Sequence, residues 1–205
     1  MGSSVMVYYG AVAELILASA SLQRVDLLKQ LGLEFKVVPP SIVEPIFSGG
    51  DCCEFARETS FFKARAISSM FPDAVVVAAD TFGILDGEFI GKPVDGIDAV
   101  RILRKLSGRC HMVVTGFTVM KLFPGETISR CVKTLVYFRT LSDIEIEGYV
   151  ATGEPVGRAG AYAIQGKGAI LVDRLDGDYF NVAGLPLAEF ASVLRRFGLD
   201  VLNSL

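Results

Sequence analysis

The amino-acid sequence predicts an α/β protein built on a mixed sheet, and three observations carry that expectation. Short apolar runs alternate with helical spacings along the chain, the pattern of strands and helices packed in layers. The run AVVVAA at 74–79 is apolar throughout, as in a strand covered on both faces. Two longer apolar stretches, 112–122 and 128–138, flank Pro124-Gly125, which predicts an antiparallel pair. A simple doubly wound sheet has no place for that pair, so a mixed sheet bent into two lobes is expected.

The elements follow in order. Residues 15–18 form a buried strand, and a helix over 22–31 ends at Gly32, a residue favoured just past a helix end. Residues 35–38 form a second strand, closed by Pro39-Pro40. A long helix over 52–70 places Phe55, Thr59, Phe62, Ala66 and Met70 on one face. After the 74–79 strand, Asp86-Gly87 is a hairpin turn between 83–85 and 89–90. Ala99, Ile102, Leu103 and Leu106 stand at i, i+3, i+4 and i+7 of a helix stopped near Gly108. Ser142 and Glu145 make a capping-box pattern for a helix to about 150. Four glycines in 157–168 predict loop, and Leu187, Phe190, Ala191 and Leu194 mark a last helix ended by Gly198. There is no internal repeat, low-complexity tract or long linker.

Composition narrows the function. Half of the 205 residues are hydrophobic and 21% are charged, enough for a large core and too apolar for disorder. Net charge is −3, with Lys and Arg scattered, so duplex nucleic acid is not the expected partner. A small anionic ligand needs only a few local cations. The cysteines Cys52, Cys53, Cys110 and Cys131 match neither a disulfide framework nor a paired metal motif. They read as free thiols in a reduced, cytoplasmic compartment. Residues 1–20 are apolar, but they lack a basic start and Glu14 interrupts them, so no secretory signal is expected. No stretch reaches the roughly 20 apolar residues of a membrane helix.

Several residues could carry chemistry. Ser19-Ala20-Ser21-Leu22-Gln23-Arg24 joins a strand to a helix, and a helix start offers unpaired N–H groups to anions. Arg24 begins the inward series with Leu27, Leu28 and Leu31. Ser21 as a plain cap, and Arg24 paired with a carboxylate, remain the alternative. Asp80-Thr81 follows AVVVAA, where a strand end delivers a carboxylate to a cleft that can bind metal or take a proton. A turn-forming aspartate reads equally well. Lys63 and the Gly91-Lys92-Pro93 turn could meet phosphate or stay solvated, and Glu44 lies in the loop after the second strand. His111 is the only histidine, which excludes imidazole-rich zinc sites. It opens an apolar strand, where a structural hydrogen bond is expected. Carboxylates, lysines, an arginine and hydroxyls suit Mg²⁺ or Mn²⁺ and phosphate chemistry.

Beyond this point the chain resembles the Maf family of nucleotide pyrophosphatases, in eight blocks over about 15–198. They include LASASLQRVDLL (17–28), Phe61-Phe62-Lys63-Ala64, AADT (78–81), GKP (91–93) and LSGRCHMVVTG (106–116). AGAYAIQGKGA (159–169), GDYFNVAGLPL (177–187) and the last helix complete the series. The resemblance implies one Maf-like domain over 13–200 with 1–12 as an N-terminal extension. It also implies an elongated mixed sheet in two lobes around a nucleotide cleft, similar to the inosine-triphosphate pyrophosphatases and Ham1-like proteins.

By the same resemblance, a nucleoside triphosphate is split between its α- and β-phosphates with a divalent metal. Asp80 would accept the proton, Glu44 and Asp80 would hold the metal, and Arg24, Lys63 and Lys92 would neutralise phosphate. Ser19, Ser21, Gln23, Thr81 and Gln165 would contact substrate, with Thr81 and Gln165 favouring dTTP and UTP. The chain departs from that branch at Leu22-Gln23, which stands for Pro-Arg, and at Gly157-Arg158, which stands for Asp-Lys. Glutamine keeps hydrogen bonding but loses the arginine's charge and fork. A homodimer is a family-level expectation. Hydrolysis of 7-methyl-GTP or a broad set of non-standard nucleotides is the alternative activity, and a non-catalytic nucleotide-binding regulator of cell division is the alternative class.

Overall fold

The apolar run predicted as a central strand lies near the middle of the sheet, as β3 (Val75–Leu85). The computed structural model describes residues 14–43, 45, 47 and 49–202. Its seven strands are β1 (Leu15–Leu17), β2 (Lys36–Val37), β3, β4 (Glu88–Ile90), β5 (Cys110–Lys121), β6 (Glu126–Phe138) and β7 (Val172–Asp176). Their order is β2-β1-β3-β5-β6-β7, with β4 pairing a second stretch of β3. Only β1 pairs in parallel, with β2 and β3; every other pairing is antiparallel. The mixed sheet expected from the 112–138 pattern is therefore present.

Alternation along β3 divides the core. Val75, Val77 and Ala79 face a cluster with Leu27 and Leu28 of α1 (Leu22–Gln30) and Phe190 and Leu194 of α6 (Leu187–Arg196). Val76 and Ala78 face the opposite side, against Ala64 and Ile67 of α2 (Cys52–Ser68). Each buried valine, leucine or isoleucine contributes about 1.5–3 kcal/mol, so both layers are anchored on this one strand. The other helices are α3 (Gly96–Leu106), α4 (Asp143–Val150) and the short α5 (Tyr179–Ala183). The Ser142–Glu145 capping box is formed, and Asp86 and Gly87 both take positive φ in the β3–β4 hairpin turn.

α2 corrects the predicted helix face. Its buried residues are Cys52, Ala56, Thr59, Ser60, Lys63, Ala64, Ile67 and Ser68, while Phe62 is 53% and Met70 66% exposed. The reason lies on the facing strand. A Cβ added at Gly116 of β5 would sit 2.2 Å from the carbonyl carbon and oxygen of Ala56. An approach that close admits only small side chains beside Gly116, so Phe62 is turned outward while Ile67 is buried against the Val76 layer. Hydroxyls fill the seam: Ser60 bonds Thr118 at 2.8 Å, and Thr118 bonds Ser129 at 2.8 Å.

Two further corrections concern chain ends of elements and cysteines. β3 does not stop before Asp80 but runs eleven residues through it. Cys53 and Cys131 form a disulfide across a sequence separation of 78, while Cys52 and Cys110 are free. The expectation of four free thiols fails because the first turn of α2 crosses β6 at Cys131, a proximity that sequence spacing does not display. β7 and α5 carried no periodic signal, one being an edge strand of mostly exposed residues and the other a single capped turn. No helix of the described residues is long and apolar enough to cross a membrane.

Candidate functional site

A break in one sheet edge defines the site. β1 accompanies β3 only as far as Val77, where the Ala18 N–H donates to the Val77 carbonyl at 2.7 Å. β4 takes up the same strand only from Gly83. Between them, Asp80 and Thr81 are paired with Gly116 and Thr115 of β5 on one edge, and no strand among the described residues pairs them on the other. Adjacent strand residues point to opposite faces, so the break opens onto chemistry from both layers. Asp80 is thus placed at mid-strand, not at a strand end, yet it still reaches an open edge.

On the α2 face, the Lys63 ammonium donates to Asp80 Oδ1 at 2.7 Å, with side chains 7% and 17% exposed. Lys63 lies seven residues beyond Ala56, two helical turns along the same face, so the Ala56–Gly116 contact sets its reach. A pair this far out of water is not a reason to fold, since desolvation offsets the attraction, but removing either partner strands a charge.

On the opposite face, the buried Arg24 guanidinium donates to three neutral acceptors among the described residues. Its Nε–H donates to the Gly184 carbonyl at 3.0 Å, one Nη to Ser19 Oγ at 3.3 Å and the other to Thr81 Oγ1 at 3.0 Å. Gly184 caps α5 with φ 119°, in a region that disfavours side chains, and this turns its carbonyl toward Arg24. Thr81 Oγ1 also lies 2.9 Å from Thr115 Oγ1 and 3.3 Å from the Gly184 carbonyl. Thr115 in turn donates to the Asn181 carbonyl at 3.0 Å. Ser21 caps α1, accepting from the Arg24 N–H, and donates to Gln23 Oε1 at 3.1 Å. The capping role left open by the sequence is therefore real.

The remaining predicted residues are less gathered. Lys92 is exposed just beyond β4, with no ion pair among the described residues, and the preceding Gly91 carbonyl accepts from the Gly160 N–H at 3.0 Å. Gln165 is exposed in the glycine-rich loop. Glu44 lies outside the described residues. Among those described, no three His, Cys, Asp or Glu residues form a metal-binding group. Asp80 still fits a hard divalent ion: its Oδ1 is taken by Lys63, its second oxygen has no protein partner among the described residues, and magnesium-type ions take one or two carboxylates plus phosphate oxygens.

His111 is set apart from this chemistry. It is buried, its Nε2 lies 3.0 Å from the Tyr162 hydroxyl, and burial lowers its pKa to about 4. Gly184, Thr115 and Asn181 were missed as site-building residues, because two act through backbone carbonyls that carry no residue-type signal. The GDYFNVAGLPL block, which holds Asn181 and Gly184, and the LSGRCHMVVTG block, which holds Thr115, carry the sequence signal for them.

Comparison with known proteins adds a second line. The description "Maf-like protein" matches residues 14–197. The chain is 44% identical over 192 residues to a protein named dTTP/UTP pyrophosphatase from Dictyoglomus thermophilum, covering 92% of this chain and 98% of the relative. A protein of the same name from Geobacter sulfurreducens is 46% identical over 184 residues, covering 90% and 96%. The structure of a HAM1 protein from Coxiella burnetii superposes with a TM-score of 0.52 at 17% identity, covering 90% of this chain and 100% of that one. The last shows likeness of fold alone.

Proposed function

Since the chain belongs to the Maf family, we propose that it hydrolyses dTTP and UTP to the monophosphate and pyrophosphate. The observation that carries the site assignment is the break in the β3 edge, where Asp80 with Lys63 and Thr81 with Arg24 reach one opening from opposite faces. The printed name of the relatives supplies the substrate.

Asp80 accepts the proton of a water whose oxygen attacks the α-phosphorus. The bond to the bridging oxygen breaks, and its electron pair leaves with pyrophosphate. Arg24, Lys63 and the exposed Lys92 oppose charge that grows on the phosphate oxygens and the leaving group, an electrostatic contribution fixed before reaction. The guanidinium is held by Ser19, Thr81 and Gly184, so little reorganisation remains. Asp80, with Glu44 as the second candidate, would hold a Mg²⁺ or Mn²⁺ ion, which when bound would neutralise triphosphate charge. Gln23, Thr81 and Gln165 serve nucleotide choice in this proposal, and the hydroxyls of Ser19 and Ser21 add donors for the phosphates. A cytoplasmic location and a homodimer belong to this proposal, the first supported by the nucleoside triphosphate substrate it assigns.

The test is pyrophosphate release from dTTP, UTP, CTP, 7-methyl-GTP, ITP and the common purine triphosphates, with Mg²⁺, with Mn²⁺ and with neither. Asp80→Asn should lower turnover at least ~100-fold, the usual contribution of positioned proton transfer. Near-normal turnover by a folded Asp80→Asn protein would remove Asp80 from this role. No release by the wild type would favour a binding regulator instead.

A further inference from the structure

We infer that Glu154 is a positioning residue for nucleobase choice, acting by holding the loop that displays Gln165; the inference rests on the triphosphate-site reading above. Glu154 follows α4, and its carboxylate is seated in backbone N–H groups. Oε1 accepts from the Lys167 N–H at 3.0 Å and Oε2 from the Gly168 N–H at 2.9 Å. The hydroxyl of Tyr149, a buried residue of α4, accepts the Ala163 N–H at 3.0 Å and acts on the same carboxylate. Successive N–H groups curled around an anion form a nest, and here the anion is part of the chain. Burial would raise the Glu154 pKa, but the Gly168 N–H, the Tyr149 hydroxyl and the Lys167 N–H outweigh it and hold the carboxyl below its usual range.

The glycines around Lys167 follow from this seat. A Cβ at Gly166 would lie 1.8 Å from Glu154 Oε1, and one at Gly168 would lie 2.7 Å from both the Tyr149 hydroxyl and the Ala163 carbonyl. Gln165 stands directly between pinned neighbours. Ile164 before it is buried in the core, and Lys167 and Gly168 after it are tied to Glu154. Gln165 itself is exposed and has no hydrogen-bond partner among the described residues. At its other end the segment is bonded through the Gly160 N–H to Gly91, next to Lys92. One short stretch therefore joins the proposed phosphate lysine to a glutamine whose neighbours are pinned on both sides and whose side-chain donor and acceptor are both unused.

A carboxamide with one acceptor and one donor matches the N–H and carbonyl edge that thymine and uracil share. Pinning the backbone that carries it before binding removes the loop-ordering part of the cost that a loose loop would incur on each encounter. Glu154 touches neither base nor phosphate in this scheme; it keeps Gln165 in place.

The experiment compares wild type, Glu154→Gln and Gly166→Ala on dTTP, UTP and CTP, together with amide hydrogen exchange over 163–168. Glu154→Gln keeps the shape but sets an amide NH₂ against a backbone N–H. Both variants should speed exchange at Lys167 and Gly168, raise KM for dTTP and UTP about tenfold, leave kcat within about twofold, and erode selectivity against CTP. Faster exchange with unchanged selectivity would overturn the inference. So would an equal fall in kcat on every nucleotide, which a merely structural residue would produce. If Glu154→Gln does not fold, Tyr149→Phe, which deletes one hydroxyl from the seat, carries the same test. A wild type that releases no pyrophosphate overturns the hydrolysis reading and this one together, whereas an active wild type with unaltered variants overturns only this one.

Discussion

Asp80 and Thr81 are consecutive residues of one strand and occupy opposite chemical surroundings. Asp80 meets a single ammonium at 2.7 Å. Thr81 belongs to an uncharged set of hydroxyls and carbonyls that fixes a guanidinium. The first arrangement is electrostatically tense: it holds two formal charges largely out of water, and its partners can be redistributed when a polyanion arrives. The second is a scaffold whose cation is oriented whether or not substrate is present. A single strand can supply both because its pleat sends alternate residues to different layers, and because the broken edge lets one ligand touch both.

The comparison is broken most directly at Lys63. Lys63→Met should reduce turnover about 100-fold, as expected for loss of a preorganised charge, and destabilise the fold by about 2 kcal/mol. The second figure is below the 3–5 kcal/mol of a fully buried pair because Asp80 retains some solvent. Adding Asp80→Asn to Lys63→Met should restore part of the stability, since no charge is then stranded. Strictly additive losses in a thermal-unfolding cycle would show that the two side chains do not act as a pair.

A second effect belongs to the Thr81 face. His111 projects from β5 to the same side as Thr115, in a pocket with Phe138 and Tyr162. Its folded pKa of about 4 lies below the ordinary 6.5. Between these values the unfolded chain binds more protons than the folded one, so stability is complete above about pH 6.5 and falls as pH drops toward 4. The loss approaches about 3 kcal/mol at the lower end. His111→Gln should flatten this part of a stability–pH profile; an unchanged slope would assign the acid sensitivity to other groups.

The smallest effect sharpens the scaffold side. Thr81→Val removes the hydroxyl that accepts from Arg24, and should cost about 1 kcal/mol of stability and about tenfold in kcat/KM. Thr81→Ser should recover most of both. Failure of serine to rescue would mean that the methyl group, not the hydroxyl, is what the site requires.

Much of the fold was legible in the residues. Periodicity marked α1, α3 and α6 to within a few positions, the Ser142–Glu145 capping box marked α4, and the Asp86-Gly87 turn was visible because few other dipeptides take positive φ twice. The α2 face was not legible, since periodicity weighs large apolar residues and this helix buries small ones against Gly116. β7 and α5 were too short and too exposed to show a period.

The sequence by itself determined which chemical groups were available: Asp80, Thr81, Arg24, Lys63 and Lys92, in blocks whose order resembles the Maf family. It also determined that the sheet had to be mixed. Only the tertiary structure decided that β1 ends and β4 begins on either side of Asp80-Thr81, that Ala56 rests on Gly116 so that Lys63 reaches Asp80, and that Cys53 meets Cys131. It also decided that the carbonyls of Gly184 and Asn181 complete the Arg24–Thr81 scaffold. Residue identity sets what a group can do, whereas a gap between strands, a helix crossing or a carbonyl's direction depends on segments far apart in the chain. Those relations come into being when the layers pack, and no local pattern encodes them.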